Sequence, residues 1–462
     1  MLRGLTVAAL ALGLAGWGAG ATKKKTAVKK SVSAAAAKTK KKTFAAKRRV
    51  AAPKPPVVSA KVKEASKEYV ADAMDAIAAA AVENSAALVP FFEQLWQLEQ
   101  TGGAAKTLHV LQYGDSHTAS DDWANQLRTM FQLRFGNGGA GYSVAGRPFQ
   151  GYRRFDVKTW QSTRWETEGL LTKGTDGYYG LGGTSITTER AGEMIYLDAD
   201  GDKAELYYLK QPGGGSFRVF VDGAEAATVD TNGPLGPGYW NMSVPEGLKR
   251  FTVETVTSAP VKLFGWVTER NRGLTWETLG INGAQANVSL RWEEGQLREH
   301  LEKRNPGLIV FAYGTNEAGQ RDWTADSYRA MFREVLLRYR AMAPGASFLV
   351  VGPPDRAQRV NRVWGPLPKL DMISEVQREV ALEVGAAFWD LRERMGGNGA
   401  MKRWVYAGFA QGDFVHLTGP GYRLVGETLF KDLIAHYEEF RKIRQKIFSE
   451  GNGNNDEAKE NY

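Results

Sequence analysis

The sequence predicts an α/β protein in which a parallel β-sheet is covered on both faces by helices and interrupted by a long all-β segment. Three observations predict it. From Thr275 onward, short apolar runs alternate with stretches of helical periodicity, the rhythm of parallel strands joined by crossover helices. Between about residues 153 and 265 glycine becomes dense and short alternating segments appear, the pattern of antiparallel strands. The 462-residue chain is also 43% hydrophobic and 11% aromatic, enough to bury a sizeable core.

Taken in order, the chain opens with Met1-Leu2-Arg3, an apolar run from about Leu5 to Gly18, and Ala19-Gly20-Ala21. These are the parts of a secretory leader, so residues 1–21 are expected to be a signal peptide and the protein to be exported to the periplasm or envelope. The apolar run is shorter than the roughly 20 residues of a bilayer-spanning helix. Residues 22–62 read as a basic Lys/Ala-rich linker that cannot bury an apolar face. Residues 1–63 hold 16 of the 60 Lys and Arg and none of the 51 Asp and Glu, which leaves 44 basic and 51 acidic residues in the rest. The high pI therefore belongs to the arm. The arm can be drawn to anionic envelope polymers by charge alone, whereas the mildly acidic body argues against nucleic acid as a partner.

Residues 63–152 read as the first part of the α/β domain, with a helix over 64–100 and a strand over Thr107–Tyr113. Residues 153–265 are expected to form an inserted β-sandwich, with strands at Glu193–Leu197, Ala204–Leu209, Phe217–Val221, Arg250–Val256 and Val261–Val267. Asp222-Gly223 between apolar runs marks a hairpin turn. Residues 266–445 complete the α/β domain, with helices over 287–304, 325–342, 369–384 and 421–445. Their strands are Leu308–Tyr313, Phe348–Val351 and Ala387–Leu391, and residues 446–462 form a polar tail.

Composition excludes several chemistries. With no cysteine there is no disulfide scaffold, thiolate metal site or cysteine nucleophile, and five histidines leave little for a histidine metal centre. Gly136–Gly141 (GNGGAG) lacks the Lys-Ser/Thr or acidic partner of a nucleotide loop. No cofactor and no metal are expected.

Four short blocks carry candidate chemistry. Gly114-Asp115-Ser116-His117 follows an apolar strand and precedes a helix starting near Asp121, so a sharp turn can expose the Ser116 hydroxyl at the carboxyl edge of the sheet. Gly280-Ile281-Asn282-Gly283-Ala284 precedes another helix, and Gly283 can present a backbone N–H with no side chain in the way. Gly314-Thr315-Asn316-Glu317 follows the strand LIVFAY, and the Asn316 amide can donate to a developing oxyanion. In Asp413-Phe414-Val415-His416 a carboxylate three residues before an imidazole can reach its Nδ1–H and turn Nε2 toward a serine. Each block alone also reads as an ordinary turn or helix cap.

Together and in this order the blocks resemble the SGNH (GDSL-type) hydrolase superfamily. The resemblance implies a three-layer, flavodoxin-like α/β fold and a serine esterase. It makes Ser116 the nucleophile, His416 the general base and Asp413 its orienter. Ser116 N–H, Gly283 N–H and the Asn316 amide would form the oxyanion hole, with Gly280 a weaker candidate for the role of Gly283. The layout, with a β-rich insertion between the serine and glycine blocks, resembles periplasmic peptidoglycan O-acetylesterases whose catalytic domain is interrupted by a carbohydrate-binding-like module. That implies O-acetylated polysaccharide as partner and removal of acetyl from the C6 oxygen of N-acetylmuramic acid.

Three alternatives remain: a polysaccharide O-acetyltransferase with a sugar hydroxyl in place of water, another SGNH acylesterase of the acetylxylan-esterase or lipase kind, and a glycan-binding envelope protein without catalysis. Trp160, Trp165, Tyr178, Tyr179 and Trp240 in the insertion are candidates to stack on sugar rings or to fill its core. Asp115 is expected to hold the nucleophile turn and His117 to be structural or substrate-lining. Asp121-Asp122 and Glu293-Glu294 are expected to be solvated or capping.

Overall fold

The computed structural model describes residues 53–75, 81–102, 106–149 and 151–457. The expected leader and most of the basic arm lie outside the described residues.

The central sheet has six strands in the order Val82–Glu83, Ala387–Trp389, Ser347–Val351, Leu308–Ala312, Leu108–Gly114, Leu274–Gly280. The five longer strands pair in parallel, and Val82–Glu83 pairs antiparallel at the edge. Alternation of side chains along each strand feeds two cores. From Leu308–Ala312, Leu308 and Val310 enter one core with Phe131, Trp276 and Leu429, while Ile309 and Phe311 enter the other with Phe332, Tyr339 and Ile373. Both faces are therefore buried under helices, as a parallel sheet requires.

The predicted helix over 64–100 is two helices, Ala60–Asp75 and Val89–Gln100, separated by the edge strand and the 3₁₀ turn Ser85–Leu88. Asn84 adopts φ 52°, which interrupts the helical path, and Pro90 suits the first turn of the second helix. The last helix, Gly419–Glu457, runs past its expected end at 445 into the expected tail. None of the helices in the described residues is long and apolar enough to cross a membrane.

Between Leu108–Gly114 and Leu274–Gly280 the chain builds nine antiparallel strands. They form one continuous hydrogen-bonded sheet. It takes in Gly141–Val144 ahead of residue 153 and ends with Val261–Glu269. The expected strands Glu193–Leu197 and Ala204–Leu209 are ends of a single strand, Met194–Lys210, paired with Gly236–Thr255. A register shift between Ser243 and Gly247 supplies the bend that lets a sheet of long strands wrap a core of Ile195, Leu206, Phe217, Phe251 and Trp266. Asp222 (φ 50°) and Gly223 (φ 87°) make the predicted tight hairpin turn.

Candidate active site

Three neighbouring strands end at one level. Gly114 is in register with Ala312 on one side and Gly280 on the other, so the serine, asparagine and glycine blocks leave the carboxyl edge side by side. Residue 114 must be small, because an added Cβ would fall 2.2 Å from Thr118 Oγ1 and 2.7 Å from the Ala312 carbonyl. Ser116 opens the short helix Ser116–Ala119, and Asp115 caps it by accepting from the His117 N–H at 2.9 Å. The fourth block arrives from the loop before the last helix. Phe414 there adopts φ 58° and stacks on Trp364 at 4.3 Å, which turns Asp413 and His416 toward the serine.

Ser116 Oγ lies 2.9 Å from His416 Nε2, and His416 Nδ1 lies 2.8 Å from Asp413 Oδ2. The other Asp413 oxygen accepts from the Val415 and His416 N–H groups, each at 3.0 Å. Burial pushes the Asp413 carboxyl up, but the bonds from His416 and from the two backbone N–H groups outweigh it and hold it below its ordinary value. Asp413 thus stays charged and acceptor-only, fit to fix the imidazole tautomer and to stabilise an imidazolium.

The remaining predicted residues gather round this chain of bonds. Asn316 Nδ2 donates to the Ala284 carbonyl at 2.9 Å and lies 3.4 Å from Asp115 Oδ2, which ties the asparagine block to the other two. Gly283 is exposed with φ 79°, and an added Cβ would meet nothing within 4 Å. Its glycine is required by backbone conformation and its surroundings are open to a ligand. Gly280 is packed instead: a Cβ there would fall 2.2 Å from the Ala119 nitrogen, beneath the nucleophile turn.

His117 is buried, and burial lowers its imidazole to about 3. Its Nδ1 is 2.9 Å from the Tyr422 hydroxyl, and its ring packs 5.3 Å from that of His416. It is a neutral supporting residue. Burial pushes the Asp115 carboxyl up to about 6.

Two carboxylates escaped the sequence reading. Asp121, expected to be solvated or capping, is wholly buried with φ 61°. It accepts from Arg128 Nη2 at 2.9 Å, from the Phe155 N–H at 2.8 Å, and from the Thr278 hydroxyl. Glu317 is wholly buried and bridges the Gly314 and Ala286 N–H groups. Only a Glu directly after the asparagine hinted at it. Glu293 does cap its helix, accepting from Gly295 and Gln296. Of the five insertion aromatics, Trp165 and Tyr179 are buried, Tyr178 and Trp240 pack partly buried against cores, and Trp160 is 43% exposed. No group of three or more His, Asp or Glu among the described residues is placed to hold a metal ion.

Residues 254–424 match the GDSL-like lipase/acylhydrolase family. That segment holds the glycine, asparagine and Asp-His blocks and leaves Ser116 outside. Among solved structures, that of a peptidoglycan O-acetylesterase aligns at 26% identity with a TM-score of 0.65, over 76% of this chain and 96% of that one. A family two carbohydrate esterase from Clostridium thermocellum, in complex with cellohexaose, aligns at 12% identity and a TM-score of 0.28, over 60% of this chain and 98% of that one. An acetyl xylan esterase aligns at 16% identity and a TM-score of 0.26, over 34% and 80%. No curated protein matches the sequence.

Proposed function

Starting from a chain that is an SGNH (GDSL-type) hydrolase and a carboxylic ester hydrolase, we propose that it is exported and removes O-acetyl groups from cell-wall polysaccharide, with the C6 O-acetyl of peptidoglycan N-acetylmuramic acid as its substrate. The observation that carries this reading is the likeness to a peptidoglycan O-acetylesterase, which covers 76% of the chain, more than the α/β portion alone. The leader-like first 21 residues support export.

In this reading Ser116 Oγ attacks the acetyl carbonyl while His416 Nε2 takes its proton. Ser116 N–H, Gly283 N–H and the Asn316 amide donate to the oxyanion of the tetrahedral intermediate. Collapse expels the sugar oxygen, which takes the proton back from His416, and leaves acetyl on Ser116. Water, deprotonated by His416, then attacks the acyl-enzyme and releases acetate. Asp413 keeps the imidazole oriented and stays ionised throughout.

The test is acetate release from O-acetylated peptidoglycan, acetylated xylan and a series of short acyl esters. Preference for peptidoglycan is expected. Preference for xylan or for longer acyl chains would move the substrate while keeping the ester chemistry. Transfer of acetyl to added glycan in place of water would make the enzyme an acetyltransferase.

A further inference from the structure

Beside the glycine block a cleft of about 180 Å³ has walls from both parts of the chain. One wall is Ile281 and Asn282. The other is Thr167–Thr172, the end of the strand Glu166–Gly169 of the antiparallel sheet and the turn after it, with Gly183 and Thr184, and Phe149 lines it as well. Its position relative to the serine follows from two facts. The Ile281 N–H donates to the Gly114 carbonyl at 3.0 Å, two residues before Ser116. Asn282 directly precedes Gly283, so a group resting on Ile281 and Asn282 lies next to the proposed oxyanion donors. The seam stays open because residue 183 is glycine. Its φ is +69°, and a Cβ there would fall 2.7 Å from Leu170 Cδ1 and 2.8 Å from Ile281 Cδ1, stepping into the join between the walls.

The lining is two-sided in its chemistry. Phe149, Leu170, Leu171 and Ile281 offer apolar surface, and Leu171 is 46% exposed, a large aliphatic side chain held in water at the edge of a cleft. Thr167, Thr184 and Asn282 offer neutral hydrogen-bonding groups. We propose that this seam is a subsite for a neutral pyranose ring of the substrate, whose C–H face lies on the apolar side chains while its hydroxyl rim meets the threonines and Asn282. The proposal rests on the reading of the enzyme as a polysaccharide deacetylase. A plain acyl chain would leave the polar groups without partners. An anionic ligand would meet the Glu168 carboxylate in the same lining, which Lys262 pairs with at 3.3 Å. The inserted sheet then selects the polymer by supplying half of the cleft, and binding energy remote from the acetyl group orients the ester toward Ser116.

Leu171→Ser and Phe149→Ala test this. The quantity read is the ratio of kcat/KM for acetate release from acetylated polysaccharide to kcat/KM for p-nitrophenyl acetate. Each variant is expected to lower that ratio about tenfold, and the exposed position of Leu171 keeps its variant folded, which a thermal melt checks. An unchanged ratio, whether both rates fall together or neither falls, overturns the subsite. Selective loss on longer acyl esters instead of on polymer also overturns it, because the cleft would then be an acyl pocket. The ratio is measured on whichever acetylated polymer the wild type deacetylates best. Failure of peptidoglycan as substrate then shows as absence of wild-type release from it, while failure of the subsite shows as an unchanged ratio.

Discussion

Glu317 Oε1 accepts a hydrogen bond from the Ala286 N–H at 2.8 Å, across the gap between the asparagine block and the glycine block. Its Oε2 accepts from the Gly314 N–H at 3.0 Å. One buried carboxyl thus sets the spacing of the two loops that carry Asn316 and Gly283, and burial pushes it up to about 7.

A pH signature follows. The folded value of Glu317 lies above its unfolded value near 4.5. Its contribution to stability is therefore fully present below about pH 4.5 and is lost as the pH rises through about 7. Glu317→Gln removes that dependence. Between pH 4.5 and 8 the stability of the variant relative to wild type is expected to shift in the variant's favour by on the order of 3 kcal/mol. Denaturant titration at both pH values measures it, and a pH-independent difference would show that the carboxyl titrates in its ordinary range. The variant should also lose turnover, since one of the two bridging bonds is lost.

Ser116→Ala is expected to lower acetate release by about 10⁴–10⁶-fold with an unchanged melting temperature, because only oxyanion and binding effects remain. His416→Ala should match it. Asp413→Asn should cost up to about 10⁴-fold, because an amide whose oxygen stays on the Val415 and His416 N–H groups turns its NH2 to His416 Nδ1 and fixes the wrong imidazole tautomer. Near-normal turnover of Ser116→Ala would remove the serine from its assigned role.

Pro53 and Lys54 sit against Gly412, the residue preceding Asp413: a Cβ there would fall 2.3 Å from the Pro53 carbonyl. A deletion of residues 22–52 should keep turnover of a small acetyl ester while weakening retention on anionic envelope material. That retention should fall with salt, because exposed charges are screened beyond roughly 8–10 Å at physiological ionic strength. Extending the deletion to residue 62 should lower turnover, since it uncovers Gly412 and removes the start of the helix Ala60–Asp75. Equal activity of both deletions would show that the contact at Gly412 is idle.

Trp240 and Trp160 should behave oppositely. Trp240 packs against the core of the antiparallel sheet, so Trp240→Ala is expected to lower stability by about 2 kcal/mol. Trp160 is exposed and stacked on Tyr196 at 5.7 Å, and its removal should leave the melting temperature nearly unchanged. Thermal melts of the two variants decide it.

Legibility in the sequence tracked how local each cause was. The helix Ala325–Met342 lies where periodicity predicts it, because its cap is written next to it: Thr324 accepts from the Ser327 N–H. The four blocks were readable because turn residues and reactive groups sit together, three at strand ends and the fourth in the loop entering the last helix. The edge strand Val82–Glu83 was not, since its partners Trp389 and Phe388 are far along the chain and its neighbours carry helical periodicity. Asp121 looked solvated for the same reason. Its burial depends on Arg128, Thr278 and Phe155, from a helix, a strand and a loop that only the fold assembles. The length of the antiparallel strands was hidden by Gly201 and the polar residues around it, which split one strand into two apparent ones.

The points where the chain enters and leaves the antiparallel sheet nearly touch: the Arg270 N–H donates to the Gly138 carbonyl at 2.9 Å. Such closeness invites excision, since a short turn could join the ends. The interior forbids it. Tyr142, Tyr207 and Phe264 from the antiparallel sheet belong to the same apolar cluster as Tyr113, Phe311 and Phe348 of the parallel one. Cutting the sheet out would strip one side of that cluster to water, so the trimmed enzyme should aggregate and the whole body should melt in a single cooperative transition. An architecture whose ends resemble those of an interchangeable cassette is, in its hydrophobic interior, one indivisible unit. Exchange of polymer preference among such enzymes would then proceed by substitution along the seam and not by shuffling of modules.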